Sequence, residues 1–113
     1  MPILVGGHSE AALARAARIG DGWISANLAV DDLERDIARL GALRADLGRT
    51  GPFTVCATPV SGAGVAGLRR LGAAGATDVY LSPTGFLAAE GRSVGSRIDA
   101  VRRFADEIID PLR

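Results

Sequence analysis

The chain contains no lysine: all 13 of its positive side chains are arginine. With its many alanines and glycines, that usage points to a GC-rich coding sequence rather than to arginine-specific chemistry. Net charge is zero and no basic face stands out, so the electrostatic footprint of a nucleic-acid binder, or of a protein held on an anionic membrane, is missing. A single cysteine, Cys56, excludes an internal disulfide. A single histidine, His8, supports no Ser-His-Asp set, and no metal-ligand spacing is present. Long hydrophobic runs are lacking too. The first, over residues 3–5, is stopped by Gly6-Gly7, far short of the ~20 apolar residues a membrane span needs. No leader peptide is visible, and a cytoplasmic protein is expected.

What is present is a strand-then-helix grammar, written four times. The 113 residues, 48% hydrophobic and 23% charged, suit one soluble domain with a sizeable core. A strand over 3–5 leads through Gly6-Gly7 to a helix over 10–19, with Ser9 as N-cap and Gly20 as terminator. Ala11, Ala12, Ala16 and Ile19 make its expected packing face. A second strand covers 23–26. Asp31-Asp32-Leu33-Glu34 then reads as a capping box, Glu34 reaching back to the Asp31 amide. Leu33, Ile37, Leu40 and Leu47 continue that helix as an apolar stripe at helical period.

Gly51-Pro52 marks a turn before a third strand over 53–57, rich in β-formers. A loop at 59–64 precedes a shorter helix carrying Val65, Leu68 and Leu71. A fourth strand spans 78–82, and a long Gly/Ser/Pro-rich loop follows over 83–95. The last helix is expected to open on a second capping box, Ser96-Arg97-Ile98-Asp99. It should bury Ile98, Val101, Ala105 and Ile108 and close at Pro111.

The order βαβαβαβα, with near-continuous apolar strands, predicts an α/β protein whose parallel sheet is covered by helices. Two architectures share that grammar. One is a small doubly wound sheet. The other is a (βα)4 half of a TIM (β/α)8 barrel, whose usual length of ~250 residues is roughly twice this chain.

The opening run, from Pro2-Ile3-Leu4-Val5-Gly6-Gly7-His8-Ser9-Glu10 through Ile19-Gly20-Asp21-Gly22-Trp23-Ile24, resembles the second-half signature of the luciferase-like monooxygenase superfamily. It is most similar to the branch of coenzyme F-420-dependent oxidoreductases. Later features agree in order: Asp31-x-Leu33, the Gly48-Arg49-Thr50-Gly51-Pro52 turn, Ala74-Gly75-Ala76-Thr77-Asp78-Val79-Tyr80-Leu81, and Phe104-Ala105 near the end. The resemblance spans residues 1–113 as a single C-terminal half-barrel and implies barrel strands five to eight. It also implies an oxidoreductase, a monooxygenase or dehydrogenase using F-420 (a deazaflavin) or FMN, acting on a small organic substrate. Gly6, Gly7, His8 and Ser9 map onto the turn that holds the coenzyme phosphate, and Trp23 and Ser25 would stand near the rim of the same face. Most side chains around the reacting ring belong to the family's first four strands, which this chain does not contain.

The site residues also carry plainer readings. Gly6-Gly7 makes a tight strand-to-helix turn with or without a ligand. At the same turn, glycine lets the main chain approach an anion, and a helix N-terminus offers free amides and about half a positive charge. His8 is either an acid/base group or a solvated first-turn residue. Asp21 reads as a turn former, Cys56 as an inert thiol and Arg92 as a solvated or phosphate-binding side chain. The alternative to an enzyme portion is a non-catalytic half-barrel. Its two unpaired sheet edges predict self-association or pairing with a separate N-terminal half.

Overall fold

The computed structural model describes residues 1–60, 63–82 and 92–113. Its elements are β1 (Leu4–Gly6), α1 (Glu10–Ile19), β2 (Gly22–Leu28), α2 (Val30–Asp46), β3 (Thr54–Pro59), α3 (Gly64–Ala74), β4 (Asp78–Val79) and α4 (Val94–Phe104). A π-helical turn (Ala105–Ile109) and a 3-10 turn (Asp110–Leu112) continue α4. Every strand pair is parallel, in the order β1-β2-β3-β4. An order that never reverses, joined by right-handed crossovers, lays successive helices on one face of the sheet. The described residues therefore do not form a doubly wound sheet, which needs helices on both faces. A (βα)4 half-ring is consistent with what they do form.

Strand alternation sorts the residues between the two faces. Trp23, Val55 and Ala57 point toward the helices and are buried with Ala16 of α1, Leu33 and Leu40 of α2 and Leu71 of α3. Leu4, Ile24, Cys56 and Thr58 lie on the other face. It is open among the described residues: Leu4 is 41% exposed and Ile24 36%. The first two strands approach closely there. A Cβ on Gly22 would run into Leu4 Cδ2 and lie 2.6 Å from the Thr54 carbonyl oxygen, so only glycine fits between the neighbouring strands.

Most helix ends follow from local chemistry, and some departures are instructive. Ser9 caps α1, its Oγ accepting from the Ala12 amide at 3.1 Å. Gly20 closes it by donating its amide to the Ala16 carbonyl. Arg49, just past α2, donates to the Ala17 carbonyl at 2.9 Å, satisfying one of the last acceptors of α1. The buried face of α1 is Ala12, Leu13, Ala16 and Ala17; Ala11 and Ile19 face solvent, so the packing stripe is turned from the expected one. The capping box at Asp31 does not form. The N-cap of α2 is Ala29, without a side-chain bond, because Asp31 and Glu34 both turn to the guanidinium of Arg70 on α3. A charge-assisted pair in tertiary structure competes well against a neutral amide. Leu33, Ile37 and Leu40 are buried as expected, whereas Leu47, at the end of α2, is 51% exposed.

The fourth unit departs most. β2 runs on past its expected end at 26 to Leu28, while β4 has only two residues, although the Tyr80 amide still donates to the Ala57 carbonyl at 2.9 Å. α4 starts three residues earlier than expected. Its N-cap is Ser93, whose Oγ accepts from the Ser96 amide at 3.0 Å, so the box at Ser96 is not used. Ala100 is the buried residue of α4, and Ile98 and Val101 are 47% and 52% exposed rather than buried. Residues 61–62 of the expected 59–64 loop, and 83–91 of the expected 83–95 loop, lie outside the described residues. No described helix is long and apolar enough to cross a membrane.

Candidate functional site

The β1–α1 elbow stands at the carboxyl end of β1, the end of a parallel strand from which α/β proteins reach their ligands. Gly7 makes the turn with φ of +104°, backbone that L side chains rarely adopt. A Cβ there would also lie 2.8 Å from Ala12 Cβ. Its carbonyl oxygen accepts from Trp23 Nε1 at 2.6 Å, and the Trp23 ring is fully buried between β2 and the helices. The second strand thus holds the elbow of the first. Trp23 acts through Gly7, since it offers no exposed ring face.

The amides at the start of α1 are divided. Ala12 donates to Ser9 Oγ and Leu13 to the Ser9 carbonyl. Those of Glu10 and Ala11 have no protein acceptor among the described residues, as the first turn of a helix leaves them. Gly6, just before the turn, is open: a Cβ there would meet only Ile24, at 3.8 Å. His8 and Ser9 are exposed beside it. Gly6, Gly7, His8, Ser9 and the first amides of α1 therefore form one continuous, accessible, donor-lined corner.

Charge at this corner is balanced rather than positive. Glu10 sits in the first turn, where a carboxylate itself satisfies the helix dipole and competes with an incoming anion. Arg39 of α2 reaches it, Nε donating to Glu10 Oε1 at 2.9 Å. That hydrogen bond, helped by the guanidinium charge, holds the Glu10 carboxyl below its ordinary value. Glu10 is thereby tied sideways against α2.

The remaining candidates lie elsewhere. Asp21 is at the amino end of the sheet, where its Oδ2 accepts from the Ile3 amide at 2.8 Å and its backbone bridges Ile3 and Thr54. It clamps three strands together. A cavity of about 450 Å³ beside it, lined by Met1, Pro2, Asp21, Pro52, Phe53 and Thr54, shares that amino end and so lies away from the elbow. Cys56 is on the open sheet face, where desolvation and then the nearby Asp78 push its thiol up, which makes it a poor nucleophile. Ser25 is buried, its Oγ accepting from the Thr58 amide at 2.7 Å across a β-bulge between Ile24 and Asn27. No pattern in the chain announced that bulge. Arg92 is exposed just before the α4 cap. Among the described residues no group of three His, Cys, Asp or Glu is placed to hold a metal.

No family model matches the chain, and no solved structure matches it. It is similar to uncharacterized proteins of Mycobacterium tuberculosis and Mycobacterium bovis, at 47% identity over 81 residues. The match covers 72% of this chain and 28% of each relative's length, so the chain spans well under half of the mycobacterial proteins it resembles.

Proposed function

We propose that this chain is the C-terminal half of a luciferase-like (β/α)8 barrel and that its β1–α1 elbow grips the phosphate of FMN or coenzyme F-420. The observation that carries the reading is the Gly7 elbow. A left-handed glycine at a strand's carboxyl end opens into a helix whose Glu10 and Ala11 amides are unclaimed. Gly6 carries no side chain beside those amides, and a Cβ there would meet only Ile24, at 3.8 Å. Gly6, Gly7, His8 and Ser9 would hold the group, and Trp23 fixes the carbonyl of Gly7 so that the turn keeps its shape. The coenzyme, when bound, supplies hydride transfer with a small organic substrate. The protein's part would be to hold the phosphate tail at the carboxyl end of the sheet, where such folds bind their ligands. Arg39 keeps Glu10 turned aside, lowering its repulsion of the anion.

One observation favours a second reading, a non-catalytic half-barrel that only binds or associates. The open sheet face carries Leu4, Ile24, Cys56 and Thr58, with no acid/base set among them. Fluorescence titration with FMN and with F-420 separates the two readings, with inorganic phosphate as competitor. Saturable binding of one coenzyme, displaced by phosphate and lost in Gly6→Val with unchanged circular dichroism, supports the elbow. If neither coenzyme binds the folded protein, or Gly6→Val binds as well as wild type, the second reading stands.

A further inference from the structure

We infer that Asn27, Thr58 and Tyr80, side by side at the carboxyl end of the open sheet face, hydrogen-bond the uncharged, hydroxyl-bearing part of the ligand whose phosphate sits at the elbow. The inference deepens the coenzyme reading and rests on it for the phosphate end of the ligand.

The row exists because of the bulge in β2. Trp23 and Ser25 are buried on the helix side, so unbroken alternation would send Asn27 there as well and put Leu28 on the open face. The register does the opposite. Ile24 pairs with Cys56, but the next pairs are Asn27 with Thr58 and Leu28 with Pro59, so β2 uses one residue more than β3 over this stretch. Pro59 is buried on the helix side and Leu28 packs against the core. Asn27 and Thr58 are thereby delivered together to the open face. The Ser25 hydroxyl accepts from the Thr58 amide at 2.7 Å, so that amide keeps an acceptor where the ladder is interrupted. Bulges re-aim side chains in this way beside active sites.

The third member comes from the end of β4. Val79 pairs with Ala57, whose carbonyl accepts from the Tyr80 amide at 2.9 Å, so alternation sets Tyr80 beside Thr58. Asn27 and Tyr80 are exposed and Thr58 is half-buried. None of the three side chains has a hydrogen-bond partner among the described residues. Burial of Leu28 accounts for the bulge, but not for three polar side chains aligned beyond it. None of the four strands carries an arginine. An amide and two hydroxyls, each able to donate and accept, suit the hydroxyls and carbonyls of a ligand rather than a second anion. The elbow is on β1, one strand spacing from Asn27 and two from Thr58, about 5 and 10 Å. The hydroxylated chain that joins phosphate to ring in FMN spans that distance.

Flavin fluorescence titration tests the row and the elbow separately. Wild type should bind FMN more tightly than riboflavin, which lacks the phosphate, and inorganic phosphate should displace FMN. In Asn27→Leu/Thr58→Val, with circular dichroism unchanged, FMN and riboflavin should both weaken about tenfold, from two lost hydrogen bonds. The inhibition constant of inorganic phosphate should stay the same. If that double variant does not fold, Tyr80→Phe removes only the hydroxyl of a side chain 63% exposed and should weaken both flavins about threefold. FMN affinity unchanged in the folded variants overturns the inference and leaves the elbow reading in place. A loss shared by inorganic phosphate overturns it too, since the whole corner would then be disturbed. Riboflavin bound as tightly as FMN by wild type overturns the elbow reading instead, and the row then stands only if its variants weaken riboflavin. Binding of neither flavin to the folded protein overturns both.

Discussion

The two faces of this sheet are made of alternate residues from the same strands, and they live in different solvents. Trp23 on the helix side of β2 is 0% exposed, while Ile24, its neighbour in the chain, is 36% exposed on the other side. Both lie in one strand, flanked by β1 on one side and β3 on the other. What differs is whether a helix covers the residue, and that follows from a strand order that never turns back. The same contrast separates the ends of the chain: α1 to α3 bury their apolar stripes, and α4 displays its own. Parallel sheets usually bury both faces, and among the described residues this one leaves Leu4 and Ile24 partly exposed on one of them.

The sharpest way to break this contrast is to truncate one residue on each face. Trp23→Ala should cost about 3–5 kcal/mol in urea unfolding, from lost burial and the cavity left behind, and it also removes the bond to the Gly7 carbonyl. Ile24→Ala should cost about 1 kcal/mol or less in dilute protein. Equal costs for the two variants would show that the faces do not differ as described.

The elbow comes next in size. Gly7→Ala should lower stability by about 1–3 kcal/mol, because alanine must adopt a left-handed φ and its methyl meets Ala12. A thermal melt measures it. Ser9→Ala removes the cap bond to the Ala12 amide and should cost about 1 kcal/mol of global stability. Ser93→Ala removes the equivalent cap on α4. Since α4 is less tied to the core, amide exchange should show local fraying there while the global midpoint stays in place.

The smallest effect concerns pH. The Glu10 carboxyl is held below its ordinary value of 4.5 by the hydrogen bond from Arg39. Its contribution is therefore complete above that value and is lost as the pH falls below it. Arg39→Gln should unfold slightly more easily than wild type near neutral pH, and the difference should close on acidification and shrink in salt. A gap that widened in acid would contradict the pairing.

Much of the fold was readable in the chain because its signals are local. Ser9, Gly20 and the Leu33-Ile37-Leu40 stripe depend on hydrogen bonds and periodicities within a single element, and each behaves as its chemistry requires. Two of the misreadings share one cause. Asp31-x-x-Glu34 satisfies the pattern of a capping box, but Arg70, 36 residues beyond Glu34, claims both carboxylates. Ile98 and Val101 have the period of a buried stripe, and periodicity cannot say whether a partner surface exists. At the candidate site Gly6-Gly7 and Ser9 were legible as a strand-to-helix turn. The grip of Trp23 on the Gly7 carbonyl was not, because it joins residues 16 apart through a buried ring.

By itself, the sequence determined the alternation of strand and helix, the glycine elbow at the first crossing and the α1 cap, all set by steric limits and nearest-neighbour hydrogen bonds. Only the tertiary structure decided which face of the sheet is dry, which carboxylates pair with which arginines, and that Ala100 rather than Ile98 or Val101 is the buried residue of α4. Those outcomes depend on the order in which strands assemble side by side, and a non-local arrangement of that kind leaves no mark on any short stretch of chain.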